Sequence, residues 1–511
     1  MDTNRKRMNS LVSRPGHNRI PILKTMVRVL TAFALLVFCG VHAPAASFYV
    51  DVDVSTSGSG GQTDPYKSIR EAYNAAESNS ELDNIYIASG TYNNSIEQWS
   101  TSGAFTYNQS MKVYGGYAGF DGGSSYDWST RDPRSTVIDL NGANTRAFES
   151  TNSATDPDLT LDGLTISNAS ITGNGGAVYA IDAHGTPYTK YITINDCLFS
   201  DNEVTGYGGA LYTGSYLRGI TVTNSEFTGN SATTYGGAAV LRPEASIGTG
   251  TVANCTFTDN TAGDNGGGLY ASAPSNGFDC TDSRFEGNAA TDGGGIYVSG
   301  SNPAYVFTLE RSVLTGNTGG GMFKTFTVIT DVRNSEVSDN IGYGIRIQPN
   351  DAPNLVDSLE YLTVTGNSGN GIYTDVQSYM DGNVDVINSI LANNGGYGFV
   401  GGGWTDNVNN ITYSDVWNNV SGGVGGWRSF ESNNLYLDPL FFKDTYQLHL
   451  DSPLLAAATD LGISVDLLGA LRPQDGGYAM GAYETAIPEP ASLGLLGLAA
   501  LSSCLLKRGR K

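Results

Sequence analysis

One position in the sequence is filled again and again by an aromatic ring or a cation. Tyr179, Tyr212, Tyr270, Tyr297, Phe323, Arg346 and Tyr373 each follow an apolar residue in a glycine-rich stretch such as GGGLY or GGGIY. A flat ring with a polar tip can pack on the C–H face of a sugar, and Arg346 adds a group able to hold a carboxylate or sulfate. The same column has a second reading that needs no ligand, because stacked neighbours stabilise adjacent strands by about 0.2–1 kcal/mol per pair. Cleaving a uronic-acid chain would ask for more. A lyase needs a base and a positive partner for the carboxylate, commonly Ca²⁺ on clustered acids. A hydrolase needs two opposed carboxylates, one with a raised pKa. Lys324 and Arg346 fall near the outward strand face and offer cations, and the body of the chain holds two histidines, His184 and His449. Asp201, Asp259, Asp282 and Asp339 sit where turns are expected. These residues form no recognisable constellation, so no catalytic residue, metal site or cofactor is assigned, although an acidic surface could collect Ca²⁺.

The elements that must carry this column repeat with it. An asparagine closes each hydrophobic stretch, at Asn202, Asn230, Asn260, Asn288, Asn317, Asn340, Asn367 and Asn393, with spacings of 28, 30, 28, 29, 23, 27 and 26 residues. A period of this size means stacked coils rather than one globular core. Three residues before each asparagine stand Phe199, Phe227, Phe257, Phe285, Leu314, Val337, Val364 and Ile390, always apolar and therefore inward. Strand alternation puts Cys197, Ser225, Cys255 and Ser283 on that same inward face. Cys197 and Cys255 lie two coils apart, about 9.6 Å at the inter-strand spacing, which is too far for a disulfide. The residue before each ring, from Val178 and Leu211 to Ile372 and Phe399, is apolar throughout and faces inward, so the rings face outward. The glycines turn the corners, and the asparagines can form an amide ladder along the axis. The fold class is all-β: a parallel β-helix solenoid with a short capping helix at its N-terminal end. That helix is expected to start with Asp64 as N-cap and Pro65 at its first position, with Tyr66, Ile69, Tyr73 and Ala76 as its apolar face.

The F-x-x-N…G-G-[AG]-[LI]-Y pattern resembles the repeats of polymorphic outer-membrane proteins and of right-handed parallel β-helix proteins related to pectate lyases, over roughly residues 160–420. The stretch 434–484 resembles a C-terminal module called choice-of-anchor Q through Asp438, Pro439, Ser452, Pro453, Arg472, Pro473 and Gly481 to Glu484. In that stretch SPLLAAATDLG replaces the module's usual S-P-A-I-D-x-G. Pro488, Glu489 and Pro490, sixteen mostly apolar residues and a basic end resemble the PEP-CTERM sorting signal, which implies processing by an exosortase-type enzyme at the membrane. His184 before Gly185 resembles the His-Gly pair of polygalacturonases, but no Asp-Asp pair or Arg-x-Lys accompanies it.

A basic stretch, the apolar run VLTAFALLVFCGV and Ala43 and Ala45 before Ser47 read as a signal peptide, with the start open between Met1, Met8 and Met26. The expected segments are 1–45 signal peptide, 46–160 N-terminal cap and first coils, 161–420 repeats, 421–486 C-terminal capping module and 487–511 sorting tail. Without both ends the body holds 17 basic against 48 acidic residues, which disfavours nucleic acid and anionic lipid as partners. The function expected is that of an exported surface or matrix protein, glycan-binding or structural, touching the membrane only transiently through its tail. The competing class is a carbohydrate-active enzyme, a polysaccharide lyase ahead of a glycoside hydrolase.

Overall fold

The computed structural model describes residues 45–485, apart from 79–81, 123–124, 151–156, 182–188, 215–216, 244–246, 301–304, 326–327, 349–354, 376–382, 402–407, 427–428, 443–444 and 475–476. The export segment, the Pro488–Glu489–Pro490 motif and His184 lie outside the described residues. Each coil crosses three parallel sheets in turn. Among the described residues the first sheet runs from Ser47–Val50 to Ser429–Ser432 in 15 strands, one of them the antiparallel Tyr126–Arg131. The second runs from Gly90–Tyr92 to Asp415–Trp417 and the third from Phe105–Thr106 to Gly422–Gly426, with 12 strands each. This is the expected β-helix, and the right-handed sense of its connections follows from strand twist.

Alternation along the strands builds the core. In register up the first sheet stand Ile194, Val222, Val252, Cys280, Leu309, Val332 and Leu359, all buried. The second sheet carries the phenylalanine stack, with ring centroids 4.9 Å apart for Phe199–Phe227, 4.7 Å for Phe227–Phe257 and 4.6 Å for Phe257–Phe285. Cys197, Cys255 and Cys280 are buried and free. Burial pushes the Cys197 thiol up to about 12 and the Cys255 thiol to about 11, so both are inert hydrophobes.

The asparagines form the expected ladder. Asn202, Asn230, Asn260, Asn288, Asn317, Asn340 and Asn367 are buried, and each side-chain amide donates to the next asparagine's Oδ1 at 2.9–3.0 Å. The same Oδ1 also accepts a backbone N–H, as Asn260 accepts from Asn230 at 2.9 Å. A buried amide with every donor and acceptor used costs little; one left unpaired would cost about 1–3 kcal/mol. The last expected rung needs a correction. Asn394, not Asn393, receives the bond from Asn367, and Asn419 continues the ladder. The inward residue of that coil is accordingly Leu391, in register with Val364, while Ile390 faces out. The choice lay between two adjacent asparagines in LANN, and register with the coil before decides it. Asn393 takes the left-handed corner at φ 56°, like Asp201, Asp259 and Asp339 in earlier coils.

The N-terminal helix is Ile69–Glu77, with Ile69, Ala72 and Ala76 buried. Its N-cap is Ser68, not Asp64: Ser68 and Glu71 form a reciprocal capping box. Asp64 instead accepts from Ser59 N–H at 2.9 Å and closes the preceding loop, and Tyr66 lies before the helix. Buried Glu97 accepts from the Ile69 and Arg70 amides at 2.7 and 2.9 Å, covering the same helix end. Burial outweighs those bonds and raises its carboxyl to about 7.

The C-terminal segment, expected as a cap over the end, runs back along the outer face of the second sheet. Asn388 and Thr459 exchange bonds of 2.7 and 2.9 Å, Gly481 N–H donates to Asn388 O at 2.8 Å, and Ala482 N–H to Thr363 Oγ1 at 3.0 Å. Outward Ile390 is buried there with Leu448, Leu454 and Met480. The fully buried Arg472–Glu484 pair, 2.7 Å, organises the segment, and Arg472 stacks on Tyr361 at 4.2 Å.

Candidate functional site

The outward residues of the third sheet stand in register as expected, from Tyr179 and Tyr212 through Tyr270, Tyr297, Phe323 and Arg346 to Tyr373. The corner before each strand is held by a glycine in the left-handed region. At Gly266, φ 69°, a Cβ would lie 2.6 Å from Leu269 O, so only glycine fits without a shift. The rings pack closely: Tyr179–Tyr212 centroids are 5.4 Å apart at 12°, and Tyr270–Tyr297 5.1 Å at 18°. Phe323 meets Tyr297 edge-on at 5.2 Å.

Stacking changes what the column can offer. From Tyr179 to Tyr297 stacked neighbours cover the ring faces, so edges and hydroxyl tips form the outer rim. Tyr270 is 8% exposed and Phe323 5%, while Tyr179, Tyr212, Tyr297, Arg346 and Tyr373 are half-buried. Burial lifts the Tyr297 hydroxyl to about 12, which leaves it a neutral donor. Arg346 bridges two acids, Asp292 at 2.8 Å and Asp375, and lies 4.4 Å over the Phe323 ring. Burial alone would lower its pKa, but the bond to Asp375 and both carboxylate charges outweigh that and raise it. Its charge is therefore already matched within the protein.

Lys324 is not near the outward face. It follows inward Met322 by two residues, so strand period 2 sends it into the core, in register with Val298 and Ile347. There it is 0% exposed and paired with Asp357 at 2.7 Å, out of a substrate's reach. His449 lies in the C-terminal segment, half-exposed, packed on Phe442 and accepting from Asp451 N–H. Asp282 pairs with Arg311 at 2.7 and 2.9 Å, and Asp339 accepts from Tyr446. Asp201, Asp259, Asp282 and Asp339 all occupy left-handed corners. Among the described residues no group of three or more His, Cys, Asp or Glu is placed to hold a metal.

The family described as the right handed beta helix region matches residues 151–327 and 281–437, together more than half of the chain. The chain belongs to the right-handed β-helix family. No curated protein matches the sequence. Among solved structures it is similar to pectate lyase Pel9A, 15% identical with a TM-score of 0.39 over 86% of this chain and 96% of that one. It is also similar to the A-module of the Azotobacter vinelandii mannuronan C-5 epimerase AlgE6, 13% identical with a TM-score of 0.34 over 76% of this chain and 100% of that one. At this distance their activities do not pass to this chain.

Within this β-helix the aromatic row is more continuous than the sequence register implies. Val240 interrupts the expected column, yet Tyr207 and Tyr235 bridge the gap. Tyr212 meets Tyr207 at 6.1 Å, Tyr207 meets Tyr235 at 5.2 Å, and Tyr235 meets Tyr270 at 5.3 Å. Tyr343 extends the row past Phe323 at 6.5 Å. All three stand at or just before the glycine corner, in GYGG, TYGG and GYGI. Arg146 lies 4.6 Å over Tyr179, at the N-terminal end of the row.

Proposed function

We propose that this β-helix protein acts outside the cell, at the surface or in the extracellular matrix, as a non-catalytic scaffold that holds an extended polysaccharide along its tyrosine edge. The length of that edge carries the reading: rings follow one another from Tyr179 to Tyr343 with centroids 5.1–6.5 Å apart. A row of ring edges and hydroxyls at about one coil's spacing offers a linear polymer the same contact repeatedly. Replacing Tyr270 and Tyr297 together by leucine keeps apolar bulk but removes the rim. Affinity electrophoresis in matrix polysaccharide is expected to show clear loss of retention with little change in melting. Retention equal to wild type in a folded variant would make the row scaffold alone.

Export is supported by the N-terminal apolar run and by the Pro488–Glu489–Pro490 tail, which resembles a substrate of an exosortase-type enzyme. The mature protein is expected to lack residues up to about Ala45 and to end near Pro488. Intact mass of protein from the native envelope checks this, and a species still carrying Lys507 to Lys511 would overturn the processing.

A further inference from the structure

Three arginines lie against rings of the tyrosine edge, and two of them are already matched. Arg146, 4.6 Å over Tyr179, is bonded to Glu149 at 3.2 Å and to Asn174 O at 2.8 Å. Arg346, 4.4 Å over Phe323, is held between Asp292 and Asp375. Arg242 is different. It is half-buried and lies 5.7 Å over the Tyr270 ring, but among the described residues its guanidinium has no carboxylate or carbonyl partner. In a body with 48 acidic and 17 basic residues, an arginine on the edge without a counter-charge keeps its fork of N–H donors for an anion from outside.

The strand pattern puts Arg242 there. Ala239 and Leu241 are inward, Val240 holds the column position, and parity sends Arg242 outward just past it. Its backbone N–H donates to Thr213 Oγ1 of the preceding coil at 2.9 Å, which fixes the root of the side chain. Val240 is the one short residue between Tyr212 and Tyr270, and it leaves the guanidinium free to lean across to Tyr270. In the next two coils the step that Arg242 occupies is small. Leu241 pairs with Ala271, which Ser272 follows, and Ser272 pairs with Ser299. Ser299 Oγ donates to Tyr270 Oη at 3.0 Å, tying this strip to the rim. Tyr270 and Tyr297 thus border a floor of two serines, with Arg242 at its N-terminal end.

We propose that Arg242 makes the tyrosine edge selective for an anionic glycan, holding a carboxylate or sulfate in its fork while the chain lies along Ser272, Ser299 and the rim of Tyr270 and Tyr297. The inference rests on the tyrosine edge as the glycan-binding surface and adds the class of glycan. Full-length protein is run in affinity gels holding polygalacturonate, dextran sulfate or neutral hydroxyethyl cellulose, with EDTA present so that no divalent cation bridges acidic groups. At least one anionic polymer is expected to retain wild type ten-fold or more strongly than the neutral one, against the like net charge, and less as salt rises. Which polymer does so separates carboxylate from sulfate. Arg242→Gln, with melting checked, should lose ten-fold or more on that polymer and match wild type on the neutral one. Arg242→Lys keeps the charge without the fork and should fall between them. Wild-type retention of Arg242→Gln on the anionic polymer, or equal or stronger retention of wild type by the neutral one, overturns the proposal. The edge itself still stands in either case if the Tyr270→Leu, Tyr297→Leu variant loses retention. Wild-type retention in that folded double variant overturns the edge and this proposal with it. If Arg242→Gln does not fold, Arg242→Met takes its place under the same criteria.

Discussion

Asp357→Ala is expected to destabilise the protein by about 3–5 kcal/mol, because it leaves a lysine charge inside the β-helix without its partner. Lys324 Nζ sits 2.7 Å from Asp357 Oδ2 and 3.0 Å from Gln348 O. The other carboxylate oxygen accepts from Thr330 N–H at 2.7 Å and from Thr330 Oγ1 at 2.9 Å. Burial already lowers the Lys324 pKa, against the pull of Asp357. Without the aspartate it falls further, so the native state binds fewer protons than the unfolded one, and the penalty shrinks as pH rises towards the ordinary lysine range. A double change, Lys324→Met with Asp357→Asn, removes both charges and keeps an acceptor for Thr330. It should recover most of the loss, since a buried pair adds little net stability over apolar packing. Denaturant midpoints of the three proteins at pH 7 and pH 9.5 check this. A loss below about 1 kcal/mol in Asp357→Ala would mean that water reaches Lys324.

The solenoid was legible because every coil repeats one physical requirement. Phe227 and Phe257 had to face inward together, and Asn230 and Asn260 had to satisfy each other. What the sequence hid depends on contacts between coils or on competition between neighbours. Asn393 and Asn394 look alike until register with Asn367 decides. Asp64 and Ser68 are both good N-caps, and only Ser68 has Glu71 three residues on to complete the box. That signal was present in SIRE and outweighs the proline beside Asp64. The charge of Lys324 suggests the surface, but its parity with inward Met322 two residues earlier sends it into the core. Tyr207, Tyr235 and Tyr343 lie at the glycine corners outside the strands of the third sheet, so their place in the aromatic row shows only in three dimensions.

Phe257→Ala should cost about 3–5 kcal/mol, the range for emptying a fully buried aromatic site that cannot collapse. Its ring lies 4.7 Å from Phe227 at 2° and 4.6 Å from Phe285 at 5°, so the deletion opens a gap between two rings held by their own coils. Each coil touches only its neighbours, so the loss falls on two interfaces at once and is not shared along the stack. Tyr270→Ala is the control on the other face. Read from sequence, an outward ring would cost about 1 kcal/mol or less. Tyr270 is only 8% exposed and stacked on both Tyr235 and Tyr297, which raises the expected cost to about 2 kcal/mol. The order of the two still follows from where water can go. At Tyr270 the vacated space opens onto the rim and solvent can enter, whereas at Phe257 it is closed by Phe227, Phe285 and the asparagine ladder beside them. Denaturant melts that ranked Tyr270→Ala as the costlier change would reverse the assignment of inside and outside on which the tyrosine edge depends.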